Sequence, residues 1–209
     1  MIERELKFSL SEDHFPDRQE LALVFEASSF RLEPVASHRQ RDRYFDDARR
    51  SLRRAGVALR RRTLAGRTLA TLKMGGSVSG SLHTREEIEL PFEGREWPEE
   101  IRRRLSPIIS LPALRRQLEL TTERLRYLVK GSDREVALLS FDAVTASYPG
   151  SGQSVHFNEV EVEALGEATV EELQAVAVLV EQLLPLTPNS SSKLERAEAL
   201  LALGASFHE

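Results

Sequence analysis

Residues 158–163, Asn-Glu-Val-Glu-Val-Glu, carry the clearest structural signal in this sequence of 209 residues. Side chains alternate across a β-strand, so residues two apart share a face and lie roughly 6.5 to 7 Å from each other. The three glutamates therefore project to one side of a strand, and the two valines project to the other. This segment predicts a strand with one charged face and one apolar face.

The same period of two recurs along the chain and predicts eight strands in all. The strand candidates are residues 1–8, 37–46, 57–63, 67–74, 82–90, 118–130, 133–146 and 154–164. Short turns that contain glycine occupy residues 65–66, 131–133 and 149–152, and such short connections favour antiparallel hairpins. The fold class that follows is mainly β, in an α+β arrangement with antiparallel strands.

Four segments around the strands show helical periodicity instead. They are residues 17–28, 97–118 with breaks at two prolines, 169–184 and 192–203. The last two begin with a capping box, a Thr or Ser followed three residues later by Glu, which satisfies free backbone amides at a helix start. Residues 75–81 are rich in Gly and Ser, and we interpret them as a mobile loop between two strands.

Composition narrows the class of protein and its surroundings. The absence of cysteine excludes disulfides, zinc–thiolate sites and thiol catalysis. A formal charge of −4, from 33 acidic and 29 basic residues, argues against the basic surface of a nucleic-acid-binding protein. No segment approaches the roughly 20 apolar residues of a membrane span, and the charged N-terminus does not resemble a signal peptide. We therefore expect one cytoplasmic domain over residues 1–209 without nucleic-acid or membrane partners, and we leave a homodimer open.

Charged side chains also line up on one face of most other strand candidates. These residues are Glu3, Glu5 and Lys7 on the first, Arg60 and Arg62 on the third, Lys73 on the fourth, Arg85, Glu87 and Glu89 on the fifth, Arg124 and Arg126 on the sixth, and Asp142 on the seventh. One charged face alone is usually a solvated face, but here carboxylates and cations recur on different strands. Arginine and lysine neutralise phosphate oxygens, and carboxylates bind hard cations such as Mg²⁺ or Mn²⁺. The two signs together indicate a site for a metal ion and a phosphate chain.

In their order along the chain, these segments resemble the CYTH domain proteins, also called triphosphate tunnel metalloenzymes. The family's opening E-x-E-x-K is matched by residues 3–7, Glu-Arg-Glu-Leu-Lys. Further matches, in the family's order, are residues 40–46, 56–62, 71–73, 85–89, 123–127, 141–142, 158–163 and 192–193. The resemblance implies an eight-stranded antiparallel closed barrel, with a polar tunnel inside and helices on its flanks. Closure of the sheet would also remove exposed strand edges.

The resemblance further implies roles for individual residues. The implied ligands for Mg²⁺ or Mn²⁺ are Glu3, Glu5, Asp142, Glu159, Glu161 and Glu163. The implied ligands for the triphosphate are Lys7, Arg60, Arg62, Lys73, Arg85, Arg124, Arg126 and Lys193. Lys7 and Glu5 are assigned to catalysis, with Lys7 orienting or polarising the terminal phosphate, although a role for Lys7 as an ion-pair partner of a tunnel carboxylate stays equally open. Without the resemblance, Lys193 would be interpreted as a solvent-exposed lysine in the first turn of a helix.

Other ionisable residues are left outside the site. The histidines show no paired metal-ligand spacing, and no step of the expected chemistry needs a histidine base. They are His14, His38, His83, His156 and His208. Arg61 faces away from its two neighbouring arginines, and we expect its replacement to have little effect, as for most exposed residues.

The expected activity is metal-dependent hydrolysis of a small-molecule triphosphate. Inorganic tripolyphosphate is the first expected substrate, thiamine triphosphate is the second, and class IV adenylate cyclase is the third activity; the charges alone do not separate them. Two other classes of function stay open, a sensor that binds a nucleotide or polyphosphate without cleaving it, and an open sheet that serves as an interaction module. The carboxylate rows argue against the sensor, because buried acids without a metal to pair them are costly.

Overall fold

The computed structural model describes residues 1–11 and 14–205, and within them the chain forms nine strands. The strands are β1 (Ile2–Leu10), β2 (Arg31–Asp46), β3 (Val57–Leu64), β4 (Arg67–Ser79), β5 (Leu82–Pro91), β6 (Arg115–Lys130), β7 (Glu135–Ser147), β8 (Ser154–Ala164) and the two-residue β9 (Thr187–Pro188). The first eight form a sheet in the order β5-β4-β3-β2-β6-β7-β8-β1, and every neighbouring pair is antiparallel. Strand β1 also pairs with β5, so the sheet closes into the predicted eight-stranded barrel. This closure excludes the open-sheet alternative.

Five α-helices accompany the barrel in the described residues. They are α1 (Arg18–Glu26), α2 (Ser51–Arg54), α3 (Glu99–Leu105), α4 (Val170–Glu181) and α5 (Lys193–Ala205), with one 3-10 turn at Leu111–Ala113. The Thr169–Glu172 capping box forms as predicted at the start of α4, with both hydrogen bonds present. None of the helices within the described residues has the length and apolar composition needed to span a membrane.

Helix α2 is absent from the sequence prediction. It has only four residues, which is too short to show a helical period, and its start depends on two preceding aspartates. The Asp46 carboxylate accepts hydrogen bonds from the backbone N–H groups of Leu52 and Arg53, and the Asp47 carboxylate accepts one from Ser51. The helix is therefore held by capping rather than by its own periodicity.

Two sequence predictions are wrong about local structure. Residues 115–118, predicted as the end of a helix, begin β6, because pairing with β2 overrides a weak local helical preference. Residues 75–79, predicted as a mobile loop, belong to β4. A register shift between Met74 and Ser77 accommodates Gly75 and Gly76, whose φ angles of 56° and 103° suit glycine, so the strand continues beyond a bulge.

Apolar clusters cover two parts of the outer barrel wall. One lies between strands β1, β6, β7, β8 and helices α1 and α4, and its central residues include Phe25, Phe141 and Val176. The other lies between β3, β4, β5 and helix α3, and includes Leu72 and Ile101. Helices on these faces bury the valines and leucines that alternate with the charged residues of the strands.

A third cluster fills one end of the barrel and rests against α5. Its strand residues occupy the same faces as the charged residues of β2, β6, β7 and β8, but lie further along those strands. The buried members are Tyr44, Leu118, Leu120, Val144, Ala146, Phe157, Ala197 and Leu201. The interior is therefore apolar at this end, which leaves the remaining length for a polar cavity.

Candidate functional site

A cavity of about 250 Å³ lies inside the barrel and is lined by the charged faces of its strands. Most of the residues predicted for the site meet in its wall. They are Glu3, Glu5, Lys7, Arg60, Arg62, Lys73, Arg85, Arg124, Arg126, Glu161, Glu163 and Lys193. Two other predicted ligands, Asp142 and Glu159, do not line the cavity; both are fully buried beside it. Strand alternation explains why the strand residues among the twelve share one wall, since residues two apart on a barrel strand share the inner face.

Glu161 is the centre of the buried ion-pair network. Its carboxylate accepts hydrogen bonds from Lys7 Nζ at 2.7 Å, from Arg124 Nη2 at 2.7 Å and from Lys193 Nζ. Burial by itself raises the pKa of Glu161, but the charges of Lys193, Lys7 and Arg124 outweigh it and hold the pKa well below the ordinary value. Glu161 is thus a carboxylate surrounded by cations from three elements.

Asp142 and Glu159 have cation partners of their own. Asp142 accepts a two-pronged contact from Arg124, with Nε 2.6 Å from Oδ1, and lies 2.9 Å from Lys193 Nζ. Glu159 Oε1 lies 3.2 Å from Arg196 Nη1 and accepts a hydrogen bond from the side-chain amide of Asn189, while Oε2 lies 3.2 Å from Lys193 Nζ. Both carboxylates therefore act in this structure as ion-pair partners beside the cavity.

Lys193 is not the exposed lysine that its place at a helix start alone would indicate. It is 7% exposed, and α5 directs its ammonium group to the acids of β7 and β8. Arg196 lies three residues further along the same helix, at a spacing that brings it to the same side, and bonds to Glu159. The sequence analysis overlooked Arg196, although this helical spacing from Lys193 could have identified it.

The structure is compatible with both roles that the sequence left open for Lys7, contact with the phosphate and an ion pair with a carboxylate of the tunnel. Its ammonium group lies 3.1 Å from Glu5 and 2.7 Å from Glu161, and it also lines the cavity. Burial lowers the pKa of Lys7, but Glu161, Glu5 and Glu159 more than offset that effect, so the pKa stands well above its usual value. Lys7 is therefore a protonated cation in an ion pair, with access to whatever enters the cavity.

Three further cations of the cavity wall also have acidic partners. Arg62 donates two hydrogen bonds to Asp42, at 2.8 and 2.9 Å, and Arg60 lies 3.7 Å from the same carboxylate. Lys73 lies 2.6 Å from Glu3 and 3.3 Å from Glu87. Burial raises the pKa of Asp42, but Arg62 and Arg60 outweigh it, so that the carboxylate stays ionised. Asp42 is absent from the residues predicted for the site, although it alternates with Gln40 and Tyr44 on the inner face of β2.

Arg85 and Arg126 differ from these cations. Within residues 1–11 and 14–205, neither guanidinium has a carboxylate within ion-pair distance, and both line the cavity. Arg126 Nε is buried without a hydrogen-bond partner, and burial together with the charges of Arg124 and Arg62 lowers the pKa of Arg126. A bound anion would relieve this repulsion and supply the missing acceptors.

Around Glu163 the cavity wall has an excess of negative charge, in contrast to the surroundings of Arg126. Burial, followed by the charges of the neighbouring carboxylates Glu3, Glu5 and Glu161, raises the pKa of Glu163 to about 7, against the weaker effect of Lys73. Among the described residues, no group of three or more Asp, Glu or His side chains is already arranged to coordinate a metal ion. The chemistry nevertheless fits a hard cation, since crowded carboxylate oxygens that repel one another are the ligands Mg²⁺ and Mn²⁺ prefer.

The histidines and Arg61 complete the comparison with the sequence predictions. His156 is exposed, whereas His83 is fully buried next to Arg85, and burial lowers its pKa. The sequence analysis left His83 aside because it carries no metal-ligand spacing; His208 lies outside the described residues. Arg61 does face outward, but its guanidinium lies 5.0 Å from the ring centre of Phe45 and 4.8 Å from that of Phe92, so it is packed rather than free.

Comparison with known proteins gives a family and a fold. The CYTH domain, as a sequence family, matches residues 1–197. A search of curated protein sequences found no significant match. Among solved structures, HpAC1 from Hippeastrum, described as having a dominant triphosphatase activity, is 20% identical with a TM-score of 0.59, over 94% of this chain and 95% of that chain.

Two further structures have similar folds. The PH1819 protein of Pyrococcus horikoshii is 20% identical with a TM-score of 0.54, over 91% of this chain and 96% of its own. A provisionally assigned adenylate cyclase from Bacillus halodurans is 17% identical with a TM-score of 0.52, over 93% and 97% of the two chains. At these identities the likeness concerns the fold.

Proposed function

The chain belongs to the CYTH domain family, and on that premise we propose that it is a metal-dependent triphosphatase with inorganic tripolyphosphate as its first substrate. The observation that carries the proposal is that one cavity contains, among the described residues, two arginines without a carboxylate at ion-pair distance and a group of mutually repelling carboxylates. The arginines favour an anion and the carboxylates favour a cation. A metal–triphosphate complex supplies both.

We assign Glu163 first to the metal ion, together with its neighbours Glu3 and Glu5, because Glu163 forms no ion pair among the described residues and the charges of Glu3 and Glu5 help to raise its pKa. Glu3 would exchange its contact with Lys73 for the metal ion, and Glu5 its contact with Lys7. Mg²⁺ or Mn²⁺ held there would neutralise phosphate oxygens and make a bound water more acidic. Glu161, Glu159 and Asp142 stay candidates for a second position, but they would first have to exchange their contacts with Lys7, Arg124 and Lys193. Glu5 belongs to both groups, since it also pairs with Lys7.

The cations of the cavity wall then bind and orient the phosphate chain. Within the part of the chain that the structure describes, Arg85 and Arg126 have no ion pair to break, so they are the first contacts we assign to the incoming anion. Arg60, Arg62, Lys73, Arg124 and Lys193 can follow by sharing their charge between a carboxylate and a phosphate. Charge on the transferred phosphoryl group is the main barrier to hydrolysis, and fixed cations stabilise it without reorganisation.

Lys7 is the residue we assign to the reacting phosphate. Its ammonium group is already protonated and held between Glu5 and Glu161, so its direction into the cavity is set before substrate arrives. It can donate a hydrogen bond to a terminal phosphate oxygen and polarise the bond to phosphorus. The dominant triphosphatase activity described for HpAC1, which has the same fold, favours hydrolysis over cyclisation.

One set of turnover assays tests this proposal. Purified protein is given tripolyphosphate, thiamine triphosphate or ATP, each with Mg²⁺, with Mn²⁺ or with excess EDTA. We expect release of phosphate from tripolyphosphate that stops in EDTA and returns with the metal, because the assigned ligands are all hard oxygen donors. Cyclic AMP as the main product from ATP would identify a cyclase, and tight binding of tripolyphosphate without turnover would identify a sensor. Turnover undiminished in EDTA would contradict the role of the metal.

A further inference from the structure

Arg85 lies where two cavities meet. It lines the interior cavity and also a second cavity of about 190 Å³, which is bounded by the bulge of β4 and the start of α5. The bulge and Arg85 are packed against each other: a Cβ added to Gly76 would come within 2.0 Å of the Thr84 carbonyl oxygen and 3.0 Å of Arg85 Cγ. The stem of the arginine is therefore held in place by backbone.

The head of Arg85 is held by a histidine. Arg85 Nη2 lies 2.8 Å from His83 Nδ1, and His83 is 0% exposed. Arginine can only donate hydrogen bonds, so Nδ1 must be the unprotonated nitrogen of the ring. Nε2 then carries the proton and donates it to the backbone carbonyl oxygen of Asn189 at 2.9 Å. Both ring nitrogens are satisfied, and the ring is neutral.

Asn189 fixes the far side of the histidine. Its backbone N–H donates to the Lys7 carbonyl oxygen at 2.9 Å, and its side-chain amide donates to Glu159 at 3.2 Å. The chain of contacts from Arg85 through His83 to Asn189 thus ends on β1 and β8. The guanidinium is oriented by a rigid wall of the barrel rather than by solvent.

Because the residue that orients Arg85 is neutral, it affects the charge of Arg85 differently from a carboxylate. In the described residues, Arg60, Arg62, Lys73 and Arg124 are each held by carboxylates, which cancel part of the positive charge they offer to an anion. His83 fixes Arg85 without cancelling its charge. An oriented guanidinium without a carboxylate at ion-pair distance is a better receptor for phosphate than one that must share its charge with such an acid.

We propose that His83 is a positioning residue of the substrate site, which holds Arg85 at the junction of the two cavities so that it binds the outer phosphate of a linear polyphosphate. The inference rests on the proposed function for the identity of the anion. It adds a residue that acts through Arg85 and does not itself touch the substrate. We expect the effect mainly in substrate binding, since Lys7, and not Arg85, is the residue assigned to the reacting phosphate.

A double-mutant cycle tests the coupling between the two side chains. KM and kcat for tripolyphosphate are measured for wild type, Arg85→Ala, His83→Leu and the double variant. We expect KM to rise about tenfold for Arg85→Ala, the loss of one charge-assisted contact, with a smaller change in kcat. The double variant should have the KM of Arg85→Ala within about twofold, because two residues that act as one unit do not add. Losses that multiply would overturn the inference and leave His83 a structural residue.

Two amide variants separate positioning from mere packing. The side-chain oxygen of His83→Asn stands about where Nδ1 stood and can accept from Arg85, whereas His83→Gln reaches the Asn189 carbonyl instead. Positioning predicts a KM nearer to wild type for Asn than for Gln. A purely structural role predicts the reverse order, since Gln keeps the bond that ties the strands together. If His83→Leu does not fold, the cycle is run with His83→Gln.

Failure of this inference is distinguishable from failure of the proposed function. Absence of turnover in wild type would concern the function, and the same cycle is then measured as equilibrium binding of tripolyphosphate by calorimetry. Additive losses in binding, or no binding by wild type, would overturn the inference in that case. His156→Gln is the matched control, because this histidine is exposed and bonds only to Thr145 among the contacts described for its ring. It should leave KM unchanged.

Discussion

The barrel interior has two halves built on the same faces of the same strands. Along β6 the inward residues run from Leu118 and Leu120 to Arg124 and Arg126, so one strand passes from apolar cluster to charged cavity. The apolar half is sealed by α5 and contains, apart from the hydroxyl group of Tyr44, side chains that need no hydrogen-bond partner. The charged half contains a network of buried ions that face ions of opposite charge.

The difference shows how a closed barrel can hold a charged interior at all. Burying a lone charge costs several kcal/mol, whereas a buried network of opposite charges offsets much of that cost. The apolar half and the outer clusters supply the hydrophobic stabilisation that the charged half does not. The charged half is then available for binding, and α5 joins the two halves, since it contributes Leu201 to one and Lys193 to the other.

The largest effect is expected for Glu161→Gln in the charged half. This change leaves Lys7, Arg124 and Lys193 without their common carboxylate, and removal of one partner from a buried network typically costs about 3–5 kcal/mol. We expect turnover of tripolyphosphate to fall about a hundredfold or more, with a lower thermal midpoint, because the orientation of Lys7 is lost as well. Calorimetry and phosphate release measure both quantities. Glu119→Gln, whose carboxylate pairs with exposed arginines on the outer wall, is the control and should cost about 0–1 kcal/mol.

Leu120→Ala tests the apolar half. We expect a loss of stability similar to that of Glu161→Gln, but without an effect on substrate binding. Leu120 is completely buried in the cluster against α5, so truncation leaves a cavity and should lower the free energy of unfolding by about 2–5 kcal/mol. KM for tripolyphosphate should stay at the wild-type value at temperatures where the variant is folded. Urea unfolding and steady-state kinetics provide the measurements. A large rise in KM with unchanged stability would show that the two halves are not separate in function.

Arg126→Met and Arg61→Met separate the inner wall from the outer wall. Arg126 has no carboxylate at ion-pair distance in the described residues, and burial with the charges of Arg124 and Arg62 lowers its pKa against the opposing charge of Glu163. Its loss should therefore weaken tripolyphosphate binding about tenfold while stability stays equal or increases. Arg61 lies over two aromatic rings outside the barrel, and its loss should lower stability by about 0.5–1 kcal/mol without affecting binding. Calorimetric titration with tripolyphosphate measures binding by the two variants, and thermal unfolding measures their stability. Equal effects on binding would contradict the strand register.

The last effect concerns pH and isolates the acids of the charged half. The pKa of Glu163 is about 7 in the folded chain, against 4.5 as the ordinary value. The folded state therefore binds this proton more tightly than the unfolded state, so the free energy of unfolding should fall by about 1–3 kcal/mol as the pH rises from 4.5 to 7. Added Mg²⁺ should restore stability at pH 8 and have little effect at pH 5.

Comparison of wild type with Glu163→Gln isolates this contribution from other titrating groups. The difference between their thermal midpoints should change across the pH window from 4.5 to 7 and stay constant above it. A difference that is independent of pH would show that Glu163 titrates normally and that the carboxylates of β1 and β8 do not crowd one another.

Local pattern was sufficient for the strands and for which side chains share a face. Eight strand candidates correspond to β1–β8, because alternation is a property of consecutive residues. The local pattern gave wrong predictions where contacts with other parts of the chain decide the structure. Strand β6 begins inside a predicted helix, β4 continues through a predicted loop, and α2 depends on capping. These errors arise because strand pairing and capping override weak local preferences.

Twelve of the fourteen residues assigned to the site share one cavity, and their residue types follow from the sequence alone. Their partners do not. Lys73 pairs with Glu3 across 70 positions of sequence, and Glu161 pairs with Lys7 across 154, since barrel closure and strand register bring these residues together. In the described residues, the same register leaves Arg85 and Arg126 without a carboxylate at ion-pair distance and places His83 next to Arg85. Alternation along a strand determines which face a charged side chain occupies. The electrostatic interaction energy of that side chain depends on the residues that face it across the barrel, and only the tertiary structure brings those residues close.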